Sequence, residues 1–282
     1  MRVYTKVIAI LTAALALTPG SAYSQDLGGQ ISTFAFGLGL SLDSTAISKL
    51  KAYDLVVIDG TDATAEQVLS LKSSGAVVLG YASAGTIEKG RPWFKKLKKR
   101  FALAYWPDWD EWFVKVSSRR FRKFFIRKIA QPILAKGFDG LFLDNVDMVS
   151  QFPKETRGMK RLLKMVRRRL GFNRLLFIQN GDDIVSKFEK YIDGWNREDV
   201  TSTYDFDTKS YVLQPAKDRN AALAFVRSMK QKGFIVTTAD YTADNSSQAA
   251  IASVVNSCHA GAVPFVSDIL LTRLPEEPFR CN

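Results

Sequence analysis

Short apolar runs recur along the chain and alternate with longer segments in which apolar and polar positions follow a helical period. The runs are rich in Val, Ile, Leu and Phe, a composition typical of strands buried on both faces of a parallel sheet. They predict eight strands at residues 31–36, 54–58, 76–81, 141–143, 175–178, 191–196, 234–238 and 262–266. The segments between them predict helices at residues 44–51, 64–75, 118–136, 156–170, 218–232 and 245–256.

This alternation predicts an α/β fold, a single-domain (β/α)8 TIM barrel. Thr64 and Gln67 have the spacing of a capping box at the start of the second helix, and Pro132 predicts a kink in the third. A doubly wound open sheet is the main competing arrangement. No GxGxxG motif follows the first strand, and the sequence has no Walker-type phosphate loop, so nucleotide binding is not supported.

The first residues have the pattern of an export signal. Arg2 and Lys6 precede an apolar stretch at residues 7–17, which is too short to span a bilayer, and small residues follow at 22–24. We therefore predict a signal peptide at residues 1–24 and one barrel domain at residues 25–282. The mature protein is expected to be secreted or periplasmic.

Cys258 and Cys281 are the only cysteines, and His259 is the only histidine. In an exported chain an even pair of cysteines favours a disulfide over a catalytic or metal-binding pair. Nucleophilic systems that need histidine and His-based zinc sites are poorly supported, and we expect no cofactor.

The net charge of +12 is concentrated in three basic segments, Lys95–Arg100, Arg119–Lys128 and Lys160–Arg169. In the last two, apolar residues at helical spacing predict helices with one face on the barrel and a basic solvent face. A basic face could instead contact an anionic envelope surface. We expect a monomer with no nucleic-acid partner.

Acidic or amide residues follow nearly every predicted strand. Because the carboxyl ends of barrel strands meet at one mouth, we expect these side chains to gather there: Asp59, Glu88, Asp144, Asp147, Asn180, Glu198, Asp240 and Asp268. Two carboxyl groups facing one bond are the requirement of glycoside hydrolysis. Trp106, Trp109 and Trp112 are candidate sugar-stacking platforms, although packing of their loop is the simpler interpretation for each.

Several motifs, among them YDLVVIDG, GYASAGTIEKGRPWF, GFDGLFLDNVD, LLFIQNG and IDGWNREDV, resemble those of glycoside hydrolase family 114, which includes endo-α-1,4-polygalactosaminidases. The resemblance covers nearly the whole mature chain. It implies an exported hydrolase of an α-1,4-linked, galactosamine-containing polysaccharide, with a polysaccharide as its binding partner. It also implies that Asp144 and Glu198 are catalytic and that other residues line the sugar sites: Asp59, Tyr81, Glu88, Asp147, Asn180 and Asp240.

We expect Asp144 to be the nucleophile and Glu198 the general acid/base. The neighbouring Arg197 is expected to hold Glu198 ionised, which would disfavour Glu198 as an acid. One alternative is a non-catalytic carbohydrate-binding barrel associated with the cell envelope. Another is a metal-dependent hydrolase that uses Asp59, Asp144, Asp147 and Asp240 as oxygen ligands.

Overall fold

The computed structural model describes residue 27 and residues 29–281, so the predicted signal peptide lies outside the described residues. The first half contains, in chain order, β1 (Phe34–Gly37), α1 (Ser44–Leu50), β2 (Leu55–Asp59), α2 (Ala65–Lys72), β3 (Val77–Ser83), β4 (Thr86–Ile87), α3 (Phe94–Phe101), β5 (Ala102–Trp106), β6 (Glu111–Val114), α4 (Arg119–Phe125), a π-helical turn (Ile126–Ala130), α5 (Gln131–Ala135), β7 (Gly140–Asp144) and α6 (Met148–Gln151).

The second half continues with a 3₁₀ turn (Pro153–Glu155), α7 (Thr156–Leu170), β8 (Leu175–Gln179), two further 3₁₀ turns (Val185–Lys187 and Glu189–Tyr191), β9 (Gly194–Glu198), β10 (Ser202–Asp205), β11 (Ser210–Leu213), α8 (Ala216–Gln231), β12 (Ile235–Tyr241), α9 (Gln248–His259) and β13 (Val263–Ser267). None of the helices in the described part of the chain is long and apolar enough to cross a membrane.

Eight strands form one parallel sheet in the order β1-β2-β3-β7-β8-β9-β12-β13. The rings of Phe34 and Phe265 lie 5.9 Å apart where the first and last strands face each other, so the sheet curls into a nearly closed barrel. All eight strands coincide with the predicted apolar runs. The (β/α)8 prediction is confirmed, and the open-sheet alternative is wrong.

Phenylalanine rings fill the inside of the barrel. Phe36 and Phe142 lie 5.0 Å apart, and Phe142 in turn stacks on Phe177 at 6.3 Å. Since side chains alternate along a strand, the residues at even steps from these rings also point inward. This parity decides which strand-end residues reach the mouth.

The predicted helices are present, one of them interrupted, and the helix α3 was not predicted. The capping box of Thr64 and Gln67 is present at the start of α2. The predicted helix 118–136 is interrupted by the π-helical turn that immediately precedes α5, where Pro132 has no N–H to donate.

Two small antiparallel sheets at the mouth were not predicted. β4, β6 and β5 form one of them, within the long segment that follows β3, and β10 and β11 form the other, after β9. Trp109 and Phe206, from these two insertions, meet with their ring centroids 5.3 Å apart.

The predicted disulfide joins Cys258, near the end of α9, to Cys281 in the C-terminal tail. It closes a loop of 23 residues and ties the tail to the outer layer of the barrel. A crosslink of this kind stabilises the fold chiefly by restricting the unfolded chain, typically by about 3 kcal/mol.

Candidate active site

Three neighbouring barrel strands end in the same local arrangement. The last residues of β7, β8 and β9 are Asp144, Gln179 and Glu198, and all three side chains point to the barrel mouth. The next residues, Asn145, Asn180 and Asp199, have left-handed φ values of 56°, 56° and 55°.

Asn and Asp tolerate this conformation better than most residues that carry a side chain. Each left-handed residue turns the chain away from the barrel directly after an inward-facing polar group. The pairs Asp-Asn, Gln-Asn and Glu-Asp are therefore the local sequence feature that ends each strand at the site.

Asp144 and Glu198 share a hydrogen-bond donor. The amide nitrogen of Gln179 donates to Asp144 Oδ1 at 3.0 Å and to Glu198 Oε2 at 2.6 Å. These two bonds limit the separation of the two acceptor oxygens to about 5.6 Å. Gln179 is itself oriented by Asn196, whose side chain donates to its carbonyl oxygen at 3.1 Å.

In the described part of the chain, the groups that donate to the Asp144 carboxyl are all uncharged. Tyr81 donates its hydroxyl to Oδ2 at 2.7 Å, and Asn145 donates its backbone N–H to Oδ1 at 2.6 Å and its side-chain amide to Oδ2 at 3.2 Å. Burial raises the pKa of Asp144, while these hydrogen bonds oppose the rise.

Glu198 is held in the same manner. Asn180 donates its side-chain amide to Oε2 at 2.9 Å, and the Tyr241 hydroxyl donates to Oε1. Burial, with the negative charges of Asp144 and Asp199, raises the pKa of Glu198 to about 8. Glu198 therefore carries a proton at neutral pH beside a second carboxyl group.

The expectation that Arg197 holds Glu198 ionised is wrong. Arg197 is one position before Glu198 on β9, so its side chain leaves the opposite face of the strand. Its guanidinium lies 3.0 Å from the Asp182 carboxylate and donates to the backbone carbonyl of Glu198 at 2.6 Å. It makes no hydrogen bond with the Glu198 carboxyl among the described residues.

A second group of acids at the mouth is built around a cation. Arg91 donates to both oxygens of Asp59, at 3.0 and 2.6 Å, and to both oxygens of Glu88, at 3.1 and 2.7 Å. The backbone N–H groups of Thr61 and Asp62 also donate to Asp59. Sequence reasoning missed Arg91, although it lies in the GTIEKGRPWF motif.

These groups line one cavity of about 600 Å³ at the mouth of the barrel. Five of the six predicted lining residues face it, namely Asp59, Tyr81, Glu88, Asp147 and Asn180. Burial, followed by the charge of Asp144, raises the pKa of Asp147 to about 7.

Asp240 does not line the cavity, so its predicted role in sugar contact is wrong. It is 1% exposed, and its carboxyl accepts the backbone N–H groups of Thr201 and Ser202 at 2.7 and 3.0 Å. The next residue, Tyr241, faces the cavity instead. Strand parity distinguishes the two, but it could not be assigned before the inward face of β12 was known.

Trp106 and Trp109 also line the cavity, as the sugar-stacking prediction requires. Trp112 does not, because its ring packs 4.8 Å from Tyr105 and 5.6 Å from Phe94. Glu111, which sequence reasoning missed, borders the cavity, and burial raises its pKa to about 7.

The four carboxylates of the metal hypothesis are not brought together. Asp240 is buried away from the mouth and Asp59 is paired with Arg91. No group of three or more His, Cys, Asp or Glu side chains among residues 29–281 is arranged to hold a metal ion.

A TIM barrel with two half-buried carboxyl groups at the carboxyl ends of its strands is an architecture of glycoside hydrolases. The sequence profile of glycoside-hydrolase family GH114 matches residues 16–272. The chain therefore belongs to this family and is a glycoside hydrolase, as the motifs predicted.

Solved structures share the fold. The glycoside hydrolase domain of PelA from Pseudomonas aeruginosa matches with a TM-score of 0.76 at 20% identity, over 86% of this chain and 97% of that one. Ega3 of Aspergillus fumigatus, solved in complex with galactosamine, matches with a TM-score of 0.69 at 17% identity, over 96% and 100%. An α-galactosidase from Thermus thermophilus, TtGalA, matches with a TM-score of 0.59 at 13% identity, over 87% and 60%. No curated protein sequence matches the chain.

Proposed function

We propose that the chain cleaves an α-1,4-linked, galactosamine-containing polysaccharide, with Asp144 as nucleophile and Glu198 as general acid/base. The observation that carries the proposal is the shared Gln179 donor, which holds the two carboxyl groups close together between neutral hydrogen-bond donors. Because one amide nitrogen bonds both carboxyl groups, the two bonded oxygens lie within about 5.6 Å of each other, and this closeness favours a retaining mechanism, with carboxyl groups roughly 5–5.5 Å apart, over an inverting one, with roughly 6.5–9.5 Å.

The electrostatics support this division of roles. Glu198 has a pKa of about 8 and holds the proton that a leaving glycosidic oxygen must receive. Burial raises the pKa of Asp144, but the hydrogen bonds it accepts from Tyr81, Asn145 and Gln179 oppose that rise and favour its ionised form. After Glu198 has protonated the leaving group, it becomes the base that activates water against the glycosyl–Asp144 ester.

The cavity charge supports a cationic sugar. Seven carboxyl side chains line it against Lys89 and Arg91, and the seven are Asp59, Asp62, Glu88, Glu111, Asp144, Asp147 and Glu198. Lys89 pairs with Asp110, and Arg91 pairs with Asp59 and Glu88. Asp144, together with Glu111 and Asp147, whose pKa values of about 7 leave them partly ionised at neutral pH, favours a ligand that carries ammonium groups, such as deacetylated galactosamine. Ega3, a structural relative, was solved with galactosamine.

The test is incubation of the purified protein with deacetylated and acetylated α-1,4-galactosamine polymers, with products identified by mass spectrometry. We expect short oligomers from the deacetylated polymer, and no products from an Asp144→Asn, Glu198→Gln double variant. Binding of the polymer without release of reducing ends would favour the non-catalytic carbohydrate-binding alternative.

Export is part of the same proposal. A bacterial host producing the full chain should release a mature protein that begins at Gln25, as N-terminal sequencing of the secreted or periplasmic fraction would determine. A protein that keeps its first 24 residues in the cytosol would contradict it.

A further inference from the structure

One side of the barrel carries an unusual density of positive charge. Helices α3, α4 with the turn and helix that follow it, and α7 contain no Asp or Glu. Their exposed cations number five, five and six: Lys95, Lys96, Lys98, Lys99, Arg100; Arg119, Arg120, Lys123, Arg127, Lys128; and Arg157, Lys160, Arg161, Lys164, Arg168, Arg169. We call these sixteen residues the basic flank.

The three helices adjoin one another. The ring of Phe101, at the end of α3, lies 5.8 Å from that of Phe121 on α4, and Lys96 lies over the ring of Phe124. On the other side, Glu155, just before α7, accepts the hydroxyl of Ser117 at 3.0 Å. The backbone of Ser117 packs so closely on Gly158 that a Cβ there would lie 2.5 Å from its nitrogen. The charges therefore form one continuous surface.

The positive charges of the basic flank are not paired with carboxylates of the described residues. None of its sixteen cations forms an ion pair with a carboxylate of the described residues, whereas Arg167 on the same helix α7 turns inward and pairs with Asp193. Like charges at this density repel one another, and that cost is removed when an anionic surface approaches.

The shape of the flank fits a broad anionic surface better than a single chain. Helix α7 has 15 residues and is about 22 Å long, and neighbouring helices pack about 8–10 Å apart. Phe172, two residues after the end of α7 and so close in sequence to Arg168 and Arg169, is 78% exposed. An exposed aromatic at the border of a basic surface is suited to insertion among lipid headgroups.

We propose that the basic flank docks the protein on a bilayer that exposes anionic lipid headgroups. Barrel helices run along the outer wall, antiparallel to the strands. Contact through this wall leaves the mouth open along the membrane plane, where an acidic cavity can receive a cationic polymer held at the same surface. The proposal does not depend on hydrolytic activity.

The test measures co-sedimentation of the protein with phosphatidylcholine vesicles, pure or containing about 30% phosphatidylglycerol. We expect binding only to the anionic vesicles, with a strong loss between about 0.1 M and 0.5 M NaCl. Lys160, Lys164 and Arg168 lie at i, i+4 and i+8 on the exposed face of α7. Reversing all three to Glu should weaken vesicle binding about 100-fold, because each cation near such a surface contributes about 1 kcal/mol.

The matched control reverses three exposed cations on α8, which follows β9 and so lies two strands further round the barrel than α7: Lys217→Glu, Arg227→Glu and Lys230→Glu. It should stay within about threefold of the parent affinity, and Glu198→Gln should bind unchanged. Phe172→Ala should lower the affinity for the anionic vesicles a few-fold.

Equal losses of vesicle affinity in the two triple variants would overturn docking through the basic flank. Tight binding to soluble dextran sulfate or duplex DNA, without binding to the anionic vesicles, would overturn the choice of a lipid partner. If a variant fails to fold, the unmodified protein still tests the proposal: binding to the anionic vesicles that does not weaken between about 0.1 M and 0.5 M NaCl would overturn it.

Discussion

The mouth of the barrel holds two groups of carboxylates that differ in what surrounds them. Asp59 and Glu88 are bound by the Arg91 guanidinium, while the donors to Asp144 and Glu198 within residues 29–281 are hydroxyl and amide groups. The Arg91 guanidinium opposes the rise that burial causes in the pKa of Glu88, whereas the neutral donors leave the carboxyl groups of Asp144 and Glu198 able to gain or lose a proton. The difference assigns proton transfer to Asp144 and Glu198, and it assigns to Asp59 and Glu88 the role of setting the charge of the cavity.

The largest expected effect separates the two groups by activity. Asp144→Asn and Glu198→Gln should each lower kcat by about 10³-fold or more, because each removes a group that reacts in the transition state. Asp59→Asn should lower kcat less than about tenfold and act mainly on KM, as expected of a binding group. Steady-state kinetics on a galactosamine oligomer measures all three, and a loss for Asp59→Asn as large as for Glu198→Gln would break the comparison.

The free energy of unfolding should depend strongly on the group around Arg91, which has the smaller expected effect on kcat. Arg91→Met leaves Asp59 and Glu88 without their cation in a site that is only 12% and 18% exposed, and should cost about 2–3 kcal/mol after allowance for that exposure. Thermal unfolding should show a Tm lowered by about 4–10 °C.

Lys232→Met is the control, since its pair with Glu189 is 42% and 24% exposed and should contribute under about 1 kcal/mol. Equal Tm losses in the two variants would show that the Arg91 ion pairs contribute no more to the free energy of unfolding than the exposed Lys232–Glu189 pair.

Much of this organisation could be predicted from the sequence. The apolar runs located all eight barrel strands, and the Asp-Asn pair after β7 and Glu198 after β9 were recognised through the family motifs. The sequence predicts Asp240 rather than Tyr241 at the mouth, because a carboxylate at a strand end indicates a site and the inward face of β12 cannot be assigned from the sequence. The same alternation along β9 points the Arg197 side chain away from the Glu198 carboxyl, so the predicted effect of Arg197 on Glu198 does not occur. Gln179, which connects the two carboxyl groups, carries no charge and was overlooked. The two mouth sheets depend on contacts between insertions that periodicity does not encode.

A smaller effect tests the neutral donors themselves. Tyr241 lowers the pKa of Glu198 by donating to it, so Tyr241→Phe should raise that pKa further. The alkaline limb of kcat/KM, which falls in the parent protein as pH rises through about 8, should move to higher pH, and kcat should fall roughly tenfold.

Tyr53→Phe is the control, because the buried Tyr53 hydroxyl has no hydrogen-bond partner among the described residues. A Tyr241→Phe profile that matches the Tyr53→Phe profile would show that this donor does not tune Glu198.

The smallest effect concerns stability and pH. Glu198 keeps its proton to about pH 8 when folded but releases it near its ordinary value of 4.5 when unfolded. Between these values the folded state binds more protons, so the free energy of unfolding falls as pH rises. Glu198→Gln cannot titrate, and the Tm of the variant minus that of the parent protein should increase from pH 4.5 to pH 8. A difference independent of pH would contradict the raised pKa.

The central claim, that Asp144 is the nucleophile and Glu198 the acid/base, is tested most directly by azide rescue on an aryl α-galactosaminide. In Glu198→Ala, azide should take the place of water and yield a glycosyl azide of retained α configuration. In Asp144→Ala, azide should replace the lost nucleophile and yield the inverted β-azide. Proton NMR of the products reads both outcomes, and the opposite pairing of variant and anomer would contradict the assignment.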